Sequence, residues 1–303
     1  MGGIRHNNFG FRGKDITLKK HPNSVRIIFM GGSTTYESGI GGGDKVFTEI
    51  LEDKLNQFFE GKKSIEVINA GVPTWSSVHS LINFATYLLD FEPDIIFLMD
   101  GLNDAAVRIS DNSRSDYAEY YKPMQIPPLK IWESSAFLST ILRKYTSPAN
   151  KWWPNYWHGL VDVTNDPKIS KWIQSQYPYV NEMTQGNMEA HSPYPFERNI
   201  LSLIGITRQF GIKVVLLTTP ILNISHNKAK AIEALLENHH ILKSITEKEN
   251  IPFIDLYNLI PQREELYADI YHLNSKGQPI KAEKLFEEIV SKKIIEARPL
   301  NDK

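Results

Sequence analysis

The stretch IFMGGSTTYESG, which begins at Ile28, places a serine directly after an apolar run and two glycines. A serine hydroxyl is a weak nucleophile that needs a base within hydrogen-bond reach, and histidine fills that role best. In the stretch DIYHLN, Asp269 precedes His272 by three residues, so its carboxylate can hold one imidazole nitrogen while the other faces Ser33. Taken singly, each of these residues also fits a structural role as a helix cap.

Acyl transfer also needs hydrogen-bond donors for the carbonyl oxygen that becomes negatively charged. The candidates are the backbone N–H groups of Ser33 and Gly71 and the side-chain amide of Asn103, in the stretches GGST, NAG and GLND. A glycine lets substrate approach the backbone closely, and asparagine is a neutral donor that does not compete for the proton. The structural alternative is that Gly71 is a turn residue and Asn103 a helix cap.

Alternating strands and helices must position these residues. Nearly continuous apolar strands are predicted to begin at Val25, Ile65, Asp94, Lys213 and Pro252, with helical patterns between them and a last helix after Asn274. Such strands are typical of a parallel sheet that helices cover on both faces, so we expect a flavodoxin-like three-layer α/β/α sandwich with a central five-stranded parallel sheet. Chemistry in these sheets occurs at the carboxyl ends of the strands, where all the candidate residues fall.

The strand–helix rhythm is interrupted once. We expect an N-terminal extension over residues 1–24 and one domain over residues 25–303, with an aromatic-rich insertion at about residues 111–191. The insertion has a candidate helix from Phe137 and contains Trp132, Trp152, Trp153, Trp157 and Trp172. These rings could line the site and stack on sugar faces, or they could form the insertion's own core.

Composition excludes several classes of function. Lys and Arg total 34 against 35 Asp and Glu, and no long basic block occurs, so neither nucleic acid nor an anionic membrane is indicated as a partner. The chain has no cysteine and no HExxH motif, so we expect no metal and no cofactor. GIGGGDK lacks the Gly-Lys-Ser/Thr ending of a phosphate loop. The sequence has no apolar run of about 18 residues, so no integral membrane segment is predicted.

The four stretches GGST, NAG, GLND and DIYHLN, in this order at successive strand ends, resemble the blocks of the SGNH hydrolases, also called GDSL esterases and lipases. The resemblance extends from about Val25 to the final helix. It implies that Ser33 is the nucleophile, that Asp269 and His272 complete the triad, and that Ser33, Gly71 and Asn103 form the oxyanion hole. Glycine replaces the aspartate of the family's Gly-Asp-Ser, which removes a bracing carboxylate but none of the reacting atoms.

The function expected from this resemblance is a serine esterase for short-chain acyl esters, with carbohydrate O-acetyl groups favoured and a small-molecule or glycan ester as substrate. The alternatives are a lipase or lysophospholipase-type esterase, an O-acetyltransferase, and a non-catalytic protein that binds glycan or a protein partner. The opening NNFGFRGKD resembles a bacterial branch found at the cell envelope. An envelope or secreted location would require that a targeting segment has been removed; otherwise the protein would be cytoplasmic.

Overall fold

The computed structural model describes residues 4–60, 62–109, 115–117, 192–222 and 230–296. The predicted insertion, with its helix from Phe137 and its five tryptophans, lies outside the described residues except for residues 115–117. All the candidate site residues lie within the described part of the chain.

Five parallel strands form one sheet. They are β1 (Ser24–Gly31), β2 (Ser64–Asn69), β3 (Ile95–Met99), β4 (Lys213–Leu217) and β5 (Phe253–Ile254). Their order across the sheet is β2-β1-β3-β4-β5, and every neighbouring pair is parallel. This order is that of flavodoxin-like doubly wound folds, in which a crevice forms at the carboxyl ends of β1 and β3 because the winding reverses there. The predicted fold class is confirmed.

Helices cover both faces of the sheet. In the described residues they are α1 (Ser33–Tyr36), α2 (Phe47–Phe58), α3 (Ser77–Thr86), α4 (Leu102–Arg108), α5 (Tyr194–Gln209), α6 (Lys230–Glu249), α7 (Leu256–Leu259) and α8 (Gly277–Ser291). Side chains of successive strand residues alternate between the faces, so that Ile27 and Phe29 pack with α2 and α8, whereas Ile28 and Met30 pack with α3, α5 and α6. Both faces of the sheet are therefore buried under helices, which explains why the strands are continuously apolar.

Element boundaries differ from the prediction by a few residues. The helix predicted to run through YLLD ends at Thr86, and a 3₁₀ turn follows at Leu88–Phe91. Glu92 ends this turn in a left-handed conformation with φ 50°, a common way for a helical turn to end, and Pro93 follows it.

The residues before β1 pack against the sheet domain. Phe11 and Ile16 are buried in the same apolar cluster as β1 and α3, and Phe11 makes an edge contact with Phe91. Arg12 is also buried, at 6% exposure. The division of the chain at residue 25 stays a prediction, but this segment contributes directly to the core.

Candidate active site

Two glycines carry β1 into the short helix α1, whose first residue is Ser33. Gly31 has φ 147°, and a Cβ atom there would lie 2.4 Å from the Met99 carbonyl oxygen on β3. A Cβ atom at Gly32 would lie 2.7 Å from Asn103 Nδ2. The glycines therefore bring the Ser33 backbone against β3 and leave room for the Asn103 amide beside it.

The structure brings Ser33, His272 and Asp269 together. The Oγ atom of Ser33 lies 2.8 Å from His272 Nε2, and His272 Nδ1 lies 2.8 Å from Asp269 Oδ2. Ser33 and His272 are 3% and 6% exposed, so water competes little for these contacts. Asp269 Oδ1 also accepts the backbone N–H groups of Tyr271 and His272, at 2.7 and 2.8 Å. The carboxylate therefore both folds the turn that carries the histidine and orients its ring.

The electrostatics of this trio determine which nitrogen of the His272 ring carries the proton. Burial by itself raises the pKa of Asp269, but the hydrogen bond and charge of His272, with the backbone N–H groups of Tyr271 and His272, lower it below its ordinary value overall. An ionised carboxylate only accepts hydrogen bonds, so the Nδ1 proton of His272 points at Asp269. Nε2 is then the unprotonated nitrogen, and it accepts a hydrogen bond from the Ser33 hydroxyl.

Asn103 lies at the beginning of α4 and lines the same cleft as Ser33. Its Nδ2 atom donates to the Trp75 carbonyl oxygen at 2.7 Å. Because an amide nitrogen carries two hydrogens, the bond to Trp75 fixes the group and leaves the second hydrogen for an oxyanion beside Ser33. Asn103 therefore lies beside Ser33, and its use as an oxyanion donor stays a prediction.

Gly71 occupies a different kind of position. Its N–H donates to Asn69 Oδ1 at 3.1 Å, and a Cβ atom there would lie 2.3 Å from the Tyr36 nitrogen. The residue therefore lets the chain after β2 pack tightly against α1. Its predicted use as an oxyanion donor requires the bond to Asn69 to break, and it stays a prediction.

The loop after β2 contains features that the motifs did not identify. Thr74, a β-branched residue, has φ 75°, a conformation that is strained for its type and is often found near functional sites. Trp75 supplies the carbonyl that holds Asn103, and its ring stacks on His79 with centroids 5.7 Å apart. These residues could have been predicted from their position after a strand, at the same carboxyl edge of the sheet as Ser33.

Asp104, which follows Asn103, holds the neighbouring loops together through hydrogen bonds. It accepts hydrogen bonds from the Ser77 N–H at 3.2 Å, from the Ser77 hydroxyl, and from the Tyr117 hydroxyl at 3.0 Å. Asp100, at the end of β3, is fully buried, and burial raises its pKa well above the ordinary value, as does the nearby charge of Asp104. Neither carboxylate lies in the trio with Ser33 and His272.

A shallow cleft lies beside Ser33. It is lined by Gly32, Ser33, Thr34, Trp75, Met99, Asp100, Gly101, Leu102 and Asn103. Within the described ranges, no group of three or more His, Asp or Glu side chains is arranged to hold a metal ion. The helices of that same part of the chain include none with the length and apolar character to cross a membrane.

Comparison with known proteins identifies a family and a shared fold. A sequence model of the GDSL-like lipase/acylhydrolase family matches residues 29–280. The fold is similar to that of a lipase/acylhydrolase from Enterococcus faecalis, with a TM-score of 0.53, 16% identity and coverage of 92% of this chain and 100% of that chain. No curated protein matches the sequence.

Two acetylxylan esterases also have similar folds. A catalytic mutant of one from Geobacillus stearothermophilus gives a TM-score of 0.51 at 15% identity, covering 88% of this chain and 94% of that chain. The acetyl xylan esterase AlAXEase gives a TM-score of 0.51 at 16% identity, covering 88% of this chain and 100% of that chain. At these identities the structures establish a shared fold. The predicted resemblance to SGNH hydrolases is confirmed, whereas the envelope-type branch and the location stay predictions.

Proposed function

We propose that this chain, which belongs to the GDSL-like lipase/acylhydrolase family and is an ester hydrolase, removes short acyl groups through a Ser33 acyl-enzyme. The favoured substrate is an O-acetyl group on a carbohydrate. The observation that carries the proposal is the relay from Asp269 Oδ2 through His272 to Ser33 Oγ, with 2.8 Å at each hydrogen bond. A buried relay of this kind has the geometry that activates a serine hydroxyl.

The first half of the reaction forms the acyl-enzyme. Ser33 Oγ attacks the ester carbonyl carbon while His272 Nε2 takes the hydroxyl proton, and Asp269 stabilises the imidazolium that results. The Ser33 N–H and the Asn103 amide donate to the oxyanion, each contributing about 3 kcal/mol of barrier lowering. The imidazolium then gives its proton to the leaving alcohol as the bond between carbonyl carbon and alcohol oxygen breaks.

The second half releases the acid. His272 Nε2 takes a proton from a water molecule, and the water oxygen attacks the acyl carbon of the Ser33 ester. The same donors stabilise the second oxyanion. The tetrahedral intermediate collapses when His272 returns the proton to Ser33 Oγ, which regenerates the hydroxyl and frees the carboxylic acid.

The cleft supports the preference for short acyl groups. Among the described residues it encloses little space beside Ser33, which suits a small group better than a long aliphatic chain. Trp75 is one of the residues that line it, and aromatic rings pack well on the apolar faces of sugars. Two proteins of similar fold are acetylxylan esterases, which is the class of reaction proposed here.

The proposal is tested by hydrolysis of p-nitrophenyl esters of increasing chain length, followed by acetate release from acetylated xylooligosaccharides. We expect turnover to be highest with acetate, to fall as the chain lengthens, and to disappear in Ser33→Ala. Ser202→Ala, which changes an exposed serine on α5, is the matched control and should retain wild-type rates. A preference for long chains would shift the proposal to lipid esters, and full activity of Ser33→Ala would overturn it.

A further inference from the structure

The helix that begins at Ser33 has only four residues, so its carbonyl groups need partners from outside the helix. Glu37 N–H donates to the Ser33 oxygen at 2.8 Å. The other carbonyl groups accept from side chains: Lys281 Nζ donates to Thr34 O at 2.9 Å, Asn69 Nδ2 to Thr35 O at 2.8 Å, and Arg12 Nη1 to Tyr36 O at 3.1 Å. Three separate parts of the chain therefore fix the orientation of this helix.

Lys281 reaches the helix from α8 and is 1% exposed. Its ammonium group pairs with Glu37, the residue that ends α1 in a left-handed conformation with φ 67°. Gln278 Nε2 donates to the second carboxylate oxygen of Glu37 at 2.8 Å. The ammonium also lies 3.8 Å from the centroid of the Phe47 ring. Each charge is thus paired inside the protein, directly against the nucleophile helix.

Arg12 reaches the same helix from the N-terminal segment. Its Nη1 atom also donates to Glu37 O at 2.7 Å, and its Nη2 atom donates to Ile40 O and Gly41 O, both at 3.3 Å. The rigid guanidinium fork thus holds the carbonyl groups at the end of α1 and of the loop that follows. A cation at this end also complements the helix dipole.

We propose that Lys281 and Arg12 are positioning residues for the nucleophile, which hold α1 so that Ser33 Oγ stays on His272 Nε2. This inference rests on the proposed function, in which Ser33 attacks the ester. Both residues lie outside residues 29–280, the part that matches the family. A shift of about 1 Å in a reacting group can cost on the order of 100-fold in rate, so the orientation of a four-residue helix matters for catalysis.

Stability alone is a weak explanation for the Lys281–Glu37 pair. A buried ion pair can often be replaced by neutral or apolar groups of similar size with little loss of stability, because desolvation offsets the attraction between the charges. Removal of one partner is different, since it leaves an unpaired buried charge. This difference makes it possible to separate positioning from folding in an experiment.

The test is the double variant Glu37→Gln/Lys281→Met, assayed with p-nitrophenyl acetate. We expect a thermal unfolding midpoint close to that of the wild type, kcat lower by about 10- to 100-fold, and KM little changed. The rate of labelling by a serine-directed fluorophosphonate should fall in parallel. Lys284→Met, three residues further along α8 and paired with Glu287, is the matched control and should leave kcat and the labelling rate unchanged.

Arg12 is tested in the same assay with a conservative and a neutral change. Arg12→Lys keeps the charge but loses the fork, so its kcat should fall less than that of Arg12→Met. Wild-type kcat and labelling rate in the folded double variant and in Arg12→Met would overturn the inference. Ser33→Ala separates a failure of the positioning role from a failure of the proposed function. If Ser33→Ala is inactive while the positioning variants are fully active, only the positioning role fails. If Ser33→Ala is active, the proposed function fails, and the positioning role fails with it.

Discussion

The Nε2 atom of His272 lies 2.8 Å from the Oγ atom of Ser33, across 239 positions of the sequence. The two residues meet because parallel strands deliver their following loops to one edge of the sheet. Ser33 begins the helix after β1, and His272 lies in the turn before α8. The contact depends on Asp269, which orients the imidazole, and on the groups that orient α1.

Changes to the base and to its orienting acid should both lower kcat. We expect His272→Ala to lower kcat by about 1,000-fold or more, and Asp269→Asn to approach that loss because an amide can stabilise the wrong imidazole tautomer. KM should change little in either variant. Asp53→Asn, at an exposed ion pair with Lys45, is the control. Steady-state kinetics with p-nitrophenyl acetate measure these effects, and an Asp269→Asn enzyme with wild-type kcat would contradict the assigned role.

The oxyanion assignment predicts a non-additive pair of variants. Asn103→Ala should lower kcat by about 100-fold through the loss of one donor. Gly32→Ala should have a similar effect, because the added Cβ atom would stand 2.7 Å from Asn103 Nδ2 and displace the amide. Since both changes act on the same group, the double variant should lose little more than either single variant. Fully multiplicative losses, measured with the same ester, would show that Gly32 acts independently of Asn103.

Burial raises the pKa of both Asp100 and Asp104, but Asp104 also accepts hydrogen bonds from Ser77 and Tyr117, so the two groups should respond differently to neutralisation. Burial and then the charge of Asp104 raise the pKa of Asp100, so the folded state binds more protons than the unfolded state above the ordinary value of 3.8. The free energy of unfolding is therefore lost as pH rises through this window. Asp100→Asn should be more stable than the wild type at pH 7.5, with the gain shrinking towards pH 4.

Asp104→Asn is the matched variant, and it should cost about 1–3 kcal/mol because buried donors lose their carboxylate acceptor. Those donors belong to Ser77 and Tyr117. Urea unfolding at the two pH values measures both variants. Destabilisation by Asp100→Asn at pH 7.5 would contradict the assignment of a raised pKa.

His239 should make the folded state sensitive to acid. Burial lowers its pKa to about 4, with Asp255 opposing and His240 adding to the shift, and its Nε2 accepts the Thr219 N–H at 3.1 Å. The unfolded state protonates first as pH falls below the ordinary value of 6.5, so stability decreases between about pH 6.5 and pH 4. The expected loss is roughly 3 kcal/mol.

A pair of neighbouring variants isolates this effect. His239→Gln keeps an acceptor for the Thr219 N–H and should flatten the decline in unfolding free energy over that pH range. His240→Gln, on the exposed side of the same helix, removes only the smallest of the named contributions to the shift and should leave most of the decline in place. Equal pH profiles for the two variants would show that another group is responsible.

The sequence was sufficient for the parts of the site that follow from strand ends. Continuous apolar runs locate β1 and β3, and the rule that loops converge at the carboxyl edge brings Ser33 near Asn103 and His272. It was insufficient for hydrogen bonds that depend on how loops pack, such as the donation of the Gly71 N–H to Asn69. Lys and Arg are usually exposed, so no local pattern indicates that Lys281 and Arg12 are buried against the nucleophile helix.

The most direct test of the central claim is to label the protein with a serine-directed fluorophosphonate and locate the adduct by peptide mass spectrometry. An activated hydroxyl reacts with this reagent, whereas an ordinary serine does not. The account predicts one adduct, on the peptide that contains Ser33, absent in Ser33→Ala and formed much more slowly in His272→Ala. An enzyme that hydrolyses esters but is labelled on another residue, or is not labelled at all, would contradict it.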